Sequence, residues 1–552
     1  MKTYNIINQR NLRSISGMYA SEYLNGKLDR REFLTRVTSL GITATGAYSL
    51  IGLNEPVHAK QPLKQGGTMR MAMECLPLKD PRFFDWTQQS YFTAGTLEYL
   101  VEYNNDGSIT PNLLESWTSN NHYTKFVLNV RKGVKWNNGD DFTADDVARN
   151  IYGWCEKSVN GNSMASRMAA LIDEYTGKAA TGAIKVTGKY TVELSCAVPD
   201  VTLVASMADY PAAIVHHSFT PNAMNTKELV GTGPFIPESY ETGVKGAIVR
   251  NGNHKWWGYS VGRQVALDRI EFIDYGTDPN NYVTAAENGQ IDVTYETVGD
   301  YLEQMSSLGW KTSTIPSIST IVIRPNQLAE PYRDKRVRQA LAMAVDNSVC
   351  LELGYANKGV LADNSHSGSM HPEHDPTVTR LQFNPKKALA LVKEIGLENY
   401  EHTLYSLDDV WRKNTADSVA AQLRDAGFQI NRKVVPGSTY WERWKEFPFS
   451  TTNWDHRPFA TQVWKLAYHS DGAWNEFGWS NKEFDNLLDK ANSLISADER
   501  REAAGQCQAK IVEDGVTIQP YWRDLYRCHR PEVCCDQHIS NHPHFYKWGF
   551  VA

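Results

Sequence analysis

The sequence predicts an α/β protein with helices packed on the faces of sheets, and three observations carry that expectation. Segments with two-residue apolar periodicity alternate with segments of helical periodicity along most of the chain. Cap and turn residues stand at the joins between them. The 552 residues, 41% hydrophobic and 22% charged, suffice for a large core divided over roughly two to four structural units.

The N-terminus is polar and mixed before residue 28. Then comes LDRREFLTRVTSLGITATGAYSLIGL, with the pair Arg30 and Arg31 followed by Phe33 and Leu34. Val57 and Ala59 form the small-residue pattern a signal peptidase reads, so cleavage is expected after Ala59 and residues 1–59 are read as a signal peptide. Asp29 through Leu34 resembles the core of a twin-arginine export signal, although Arg36 stands near the place of its usual lysine. The alternative is a short amphipathic helix with a chance arginine pair. No other stretch approaches the ~18 apolar residues of a spanning helix. The expectation is an exported, soluble protein in the periplasm.

Each element then has its own justification. In KFVLNVR (125–131), Phe126, Leu128 and Val130 share one face, as in a half-buried strand, and YTVELSC (190–196) reads the same way. Thr143 with Asp146 three residues on opens a helix as an acidic variant of the capping box. DKRVRQALAMAVD spaces Val337, Leu341, Ala344 and Val345 at helical intervals. Asn384 as N-cap, Pro385 in the first turn and Gly396 at the stop bracket another helix. Ser480 with Glu483 predicts a capping box before Phe484, Leu487, Leu488 and Ala491. Gly231, Gly233 and Pro234 suit a tight strand entry through positive φ, and Gly133 and Gly139 suit turns.

Eight cysteines in an exported chain permit one or two disulfides, with pairing undetermined. The net charge of −6 excludes the basic face a nucleic-acid binder needs. No GxSxG, HExxH, P-loop or GxGxxG pattern occurs, so no catalytic residue is assigned. HPEHD offers His371 and His374 across a proline, which reads as a polar loop. CCDQHISNHPHF places His538 and His542 four apart beside His544 and two thiols, but Ser, Asn and Pro favour an irregular tail. No metal and no cofactor is therefore assigned. His216 and His217, adjacent, read as structural.

Several segments resemble one family, the extracytoplasmic solute-binding proteins of peptide- and nickel-type ABC importers. They are PNLLESWTSNNHYTKFVLNVRKGVKWNNGDDFTADDV (111–147), GTGPFIPESYETGVKGAIVRNGNHKWWG (231–258), DKRVRQALAMAVD, FNPKKALALVKEIGL and GWSNKEFDNLLDKA, running in order from about Gly66 to about Pro531. The resemblance implies a periplasmic-binding-protein-like fold of two lobes joined by crossing strands. It places lobe one at residues 60–110, 228–312 and 510–552, an inserted subdomain at 111–227, and lobe two at 313–509. It implies a monomer that encloses a small solute, above all a di- or oligopeptide, and hands it to permease subunits without catalysing a reaction. Alternatives are an opine, an oligosaccharide or a nickel complex as solute, or an exported metal-dependent hydrolase built on the C-terminal histidines.

The cleft is sought in the tryptophan-rich region 440–479, which has Tyr440, Trp441, Trp444, Trp454, Trp464, Trp474 and Trp479. The family's peptide binders present an aspartate after a tryptophan here, in a pattern like Trp-x-x-Asp-x-x-Asp-Pro. This chain has only Asp455, His456 and Arg457 between Trp454 and Pro458. Trp454 is expected to stack on the solute. Asp455 is read as an ammonium anchor, Arg457 as a two-toothed grip on a carboxylate or phosphate, or the two as partners of each other or of neighbours. In IPSISTIVIRPN, where the family crosses between lobes, Ser317 and Ser319 with Thr320 are expected to offer hydrogen bonds, and Arg324 is an anion contact or surface. Trp441, Tyr99 and Glu102 complete the candidate cleft.

Overall fold

The computed structural model describes residues 15–56, 61–220, 224, 226 and 229–552. Its largest sheet has eleven strands and runs through both halves of the molecule. On one side lie Phe235–Glu241, Lys245–Arg250, Arg269–Ile273, Thr68–Ala72 and Val293–Thr294; on the other lie Phe449–Trp454, Glu401–Leu407 and Gln429–Val435. Two antiparallel strands join them. Lys311–Pro325 pairs with Tyr521–His529 through its first part and with Phe449–Trp454 through its last. The register breaks between Pro316 and Ser319, so the sheet bends where it passes from lobe to lobe.

Parallel pairing fixes where a cleft can form. Thr68–Ala72 runs parallel to Arg269–Ile273 and to Val293–Thr294, and Glu401–Leu407 runs parallel to Gln429–Val435. In Thr68–Ala72 the two methionines are buried while Thr68 and Arg70 are half-buried, and the carboxyl ends of such parallel strands open onto crevices.

A separate four-stranded antiparallel sheet is formed by Leu114–Ser119, Lys125–Val130, Thr191–Ser195 and Ile184–Gly188. Phe126, Leu128 and Val130 are buried together, as their alternation requires. The helix Ala144–Trp154 opens with the reciprocal Thr143–Asp146 capping box. Asn384 caps Pro385–Lys393 by accepting from the Lys387 N–H. Gly133, Gly139 and Gly396 have φ of 77°, 98° and 68°, the left-handed region glycine tolerates.

Three expectations are corrected. The helix Lys482–Ser493 is capped by Asn481, whose side chain accepts from Glu483 and Phe484, because Ser480 turns its hydroxyl to Ser470. Gly231 and Gly233 are needed for close approach rather than for positive φ. A Cβ on Gly231 would stand 2.1 Å from the Thr96 carbonyl oxygen, and one on Gly233 2.4 Å from that of Gly95. No disulfide forms: all eight cysteines are free, and Cys75, Cys155, Cys350, Cys507 and Cys528 are each buried apart in the core.

The N-terminal segment folds as helices at Ile15–Leu24, Arg30–Ser39 and Ala44–Leu50, and the second is buried along most of its length. The cleavage position expected after Ala59 lies outside the described residues. Among the described residues no helix is long and apolar enough to cross a membrane.

Candidate ligand-binding cleft

A cavity of about 720 Å³ lies at the carboxyl ends of both parallel strand sets. One wall carries Glu74, Thr277, Tyr282, Tyr295 and Glu296, and the other carries Leu407, Asp409, Trp411 and Arg412. Glu74 stands two residues beyond Thr68–Ala72, and Asp409 two beyond Glu401–Leu407. The crevice therefore forms where open α/β sheets bind ligands, for reasons of topology.

Its electrostatics are acidic with one well-held cation. Burial pushes the Glu74 carboxyl up to about 7, with Arg412 opposing and Asp274 and Asp409 adding to the rise. Arg412 is ion-paired with Asp409, donates from Nε to Asn453 Oδ1 at 3.0 Å, and lies over the rings of Trp411 and Trp441 at 4.5 and 5.4 Å. Deeper in, Arg523 meets Glu296 at 2.9 Å and lies 4.0 Å over Trp411. The lobes touch here. Trp441 packs on Trp86 with ring centroids 4.3 Å apart, and Trp444 meets the same ring at 5.4 Å. Trp441 thus serves as a lobe-to-lobe contact at the cleft edge.

The loop after Trp454 separates this cavity from a second one. Asp455 and Arg457 do not pair through their side chains. Asp455 accepts from the Thr87 hydroxyl at 3.2 Å, and burial raises its carboxyl against the pull of Arg523 and Arg457. Arg457 points the other way, donating from Nε to Asp209 at 3.1 Å and from Nη1 to the Asp455 carbonyl at 3.3 Å. Asp209 also takes Arg167, Nε to Oδ2 at 2.8 Å. Burial alone would raise the Asp209 carboxyl, but Arg167 and Arg457 outweigh it and hold it at about 2. Arg457 Nη2 is buried with no hydrogen-bond partner. Trp454, expected to stack on solute, is core. Its Nε1 donates to Glu476 at 2.8 Å, and its ring is edged by Trp474 and His366.

The second cavity, of about 890 Å³, is lined by Tyr99, Glu102, Asp209, His456, Arg457 and the C-terminal histidines among others. Tyr99 donates to the Tyr210 carbonyl at 3.0 Å, and Glu102 is held by Arg263 at 3.1 Å. His538, His542 and His544 have ring centroids 5.1–6.3 Å apart. They do not form a helical pair, since residues 535–540 contain no helix. His538 is closed on itself, with Nε2 against the Tyr103 carbonyl at 2.9 Å and Nδ1 accepting from Ser540 N–H at 3.2 Å. Burial holds His542 at about 3, so its ring is neutral.

Other candidates resolve as scaffold. Ser317 donates to the Arg523 carbonyl at 2.7 Å, and Ser319 Oγ accepts from His456 N–H at 3.1 Å, so both hydroxyls are engaged inside the hinge. Arg324 is neither an anion contact nor surface. It is fully buried, with Nε 2.8 Å from Glu476 Oε2 and Nη1 2.6 Å from the Glu476 carbonyl. His371 and His374 lie in a loop, as expected. Among the described residues one trio has metal-like spacing, Asp140, His216 and His217. Hydrogen bonding accounts for it: Ser218 N–H meets His216 Nδ1 at 3.2 Å, which leaves Nε2 as the protonated nitrogen facing Asp140 at 3.1 Å. The two rings lie 3.9 Å apart rather than on opposite faces as a strand would place them.

Residues 108–475 match the family described as bacterial extracellular solute-binding proteins, family 5 Middle. The chain belongs to this family. It is the solute-binding component of an ABC importer. The dipeptide-binding protein of Escherichia coli is 23% identical over 79% of this chain and 88% of its own length. Heme-binding protein A of Haemophilus influenzae is 24% identical over 75% of this chain and 79% of its own. The structure of the E. coli murein tripeptide binding protein superposes with a TM-score of 0.79 at 17% identity, covering 90% of this chain and 100% of that one. These likenesses place the family fold on the two lobes described above.

Sequence reasoning missed Glu74, Glu296, Asp409, Arg412, Asp209 and Arg167. For Glu74 and Asp409 a signal existed: an acid two residues past the carboxyl end of a strand whose burial alternates. Asp209 and Arg167 carry none, being single charges, one before a 3₁₀ turn and one ending the short helix Met164–Arg167, that meet only in the fold.

Proposed function

We propose that this family 5 protein captures a short peptide in the cavity between the lobes and delivers it to membrane permease subunits, working as a periplasmic monomer exported by the twin-arginine route and catalysing nothing. One observation carries the choice of solute. Charges of both signs line the cavity at the carboxyl ends of both parallel strand sets, with Glu74, Glu296 and Asp409 facing Arg412 between tryptophan rings. Such a lining suits a zwitterion with apolar side chains, the peptide ammonium going to Glu74. An ammonium beside Glu74 also returns that carboxyl toward its charged form, which couples binding to a group the empty cavity strains. Arg457 lines the second cavity beyond the Asp455 loop with Nη2 unpartnered, so it is the favoured contact for the anionic end of a peptide long enough to reach past that loop. Asp409 and Glu296 already have Arg412 and Arg523, so Glu74 is the charge that a neutral sugar would leave without an ion partner. The test is mass spectrometry of whatever denatured protein releases, followed by calorimetry with that compound. A di- to oligopeptide that rebinds is expected; a non-peptide that rebinds overturns the peptide reading.

A further inference from the structure

The N-terminal helices lie across the seam between the lobes. On the side of lobe one and its insertion, Thr35 Oγ1 donates to the Gly107 carbonyl at 2.6 Å, and Arg31 Nη1 to that of Asn105 at 2.5 Å. Thr38 Oγ1 accepts from Ile109 N–H at 2.9 Å, and the Ser39 carbonyl from Trp117 Nε1 at 3.1 Å. On the side of the other lobe, Glu32 takes Arg501 at 2.7 Å, Tyr19 donates to the Ile495 carbonyl at 3.2 Å, and Lys27 pairs with Asp498. Asp498 and Arg501 stand in the first turns of Ala497–Glu513 and Ile495 just before it, and that helix packs on Lys482–Ser493 and shares a core with Trp464 and Trp479.

The contact is fitted, not incidental. Phe33, Leu34 and Val37 are wholly buried and join the core formed with Phe126 and Leu128 of the insertion. The Glu32–Arg36 pair, 2.7 Å apart, is buried beneath the Tyr19 ring. Two glycines permit the approach. A Cβ on Gly41 would stand 1.9 Å from the Trp117 carbonyl oxygen, and one on Gly107 2.4 Å from Arg31 Cγ. Burial of the apolar face favours docking, and Arg501 of the far lobe adds a second cation to the buried Glu32.

We propose that residues 15–50 form an intramolecular strap that docks across both lobes and holds the chain closed until the segment is released. The middle of the strap passes beside the second cavity, since Tyr103, adjoining Arg31, meets His456 at 3.3 Å. Because lobe separation is how such a protein admits solute, a docked strap stabilises the closed arrangement by the free energy of its contacts to the far lobe. It also covers half of the arginine pair: Arg30 is exposed, whereas Arg31 is half-buried against Asn105 and Gly107.

Hydrogen exchange on the full chain tests this, comparing the wild type with Phe33→Asp/Leu34→Asp. In the wild type, amides of residues 30–39, 105–109 and 495–501 are expected to be protected together. In the double variant the two seam segments should exchange at least about tenfold faster, and the radius of gyration from X-ray scattering should rise as the lobes part. Protection of 125–130 and 449–454 reports that the body remains folded. Should the double variant lose that protection, Thr35→Val/Arg501→Ala decides by the same readouts. Exchange of 30–39 at free-peptide rates in the wild type overturns the proposal, as does an unchanged seam and radius in a folded variant.

Discussion

Two buried arginines, Arg324 and Arg457, flank the same tryptophan-rich region and show what separates scaffold from site. Arg324 faces two carbonyls through Nη1 and the Trp444 carbonyl through Nη2, and its Nε lies 2.8 Å from Glu476 as an ion pair without hydrogen-bond geometry, so its charge is compensated. Glu476 in turn takes Trp454 and Thr452. Arg457 shares Asp209 with Arg167 and leaves Nη2 unpaired. A closed network rigidifies, whereas a buried donor without an acceptor has a bond left to make.

The comparison breaks first at Glu476. Glu476→Ala would leave Arg324 buried and uncompensated, and should destabilise the protein by about 3–5 kcal/mol, read as a fall in denaturant midpoint. A loss like that of a surface substitution would remove the scaffold role.

Arg457→Ala should cost less. Asp209 keeps Arg167, so about 1–2 kcal/mol of stability is expected to go, together with affinity for ligands bearing a carboxylate. The experiment is a melt and a calorimetric titration on the same preparation. Full retention of affinity would place Arg457 with Arg324 as scaffold. Of the alternatives the sequence left open for Arg457, the structure shows pairing with a neighbour, Asp209.

How much of this was legible follows from how local each signal is. Caps such as Asn384–Pro385 and Thr143–Asp146 act within one turn, so their residues announce the helices they open. The alternation of Lys125–Val130 was equally readable, because one face must be buried. The site is harder, since its members meet across the fold. Asp209 and Arg457 are far apart in the chain, and nothing near Asp209 marks its partner. Arg324 misled because an arginine within an apolar strand reads as ligand contact or surface until Glu476 appears opposite. Ser317 and Ser319 misled because a hinge bend needs hydroxyls as much as a ligand does.

Glu74 gives a smaller, pH-dependent contrast. Its carboxyl ionises near 7 in the folded chain rather than at the ordinary 4.5. The folded state therefore holds the proton more tightly, and the contribution of Glu74 to stability falls as pH rises from about 4.5 to about 7. Glu74→Gln removes that loss. The variant should match the wild type near the lower value and exceed it above the upper by about 1–2 kcal/mol, measured by denaturant unfolding at several pH values. Its affinity for an ammonium-bearing ligand should fall and lose its pH dependence. An unchanged stability difference across this window would separate Glu74 from the cavity's electrostatics.

The central claim is that the lobes enclose a solute whose charges match the cavity between them. The most direct measurement is native mass spectrometry of the purified protein with peptide titration, repeated on Glu74→Gln. A one-to-one peptide complex in the wild type, weakened about tenfold or more in the variant, is the predicted result. No peptide complex in either protein, or equal affinity in both, would contradict the account.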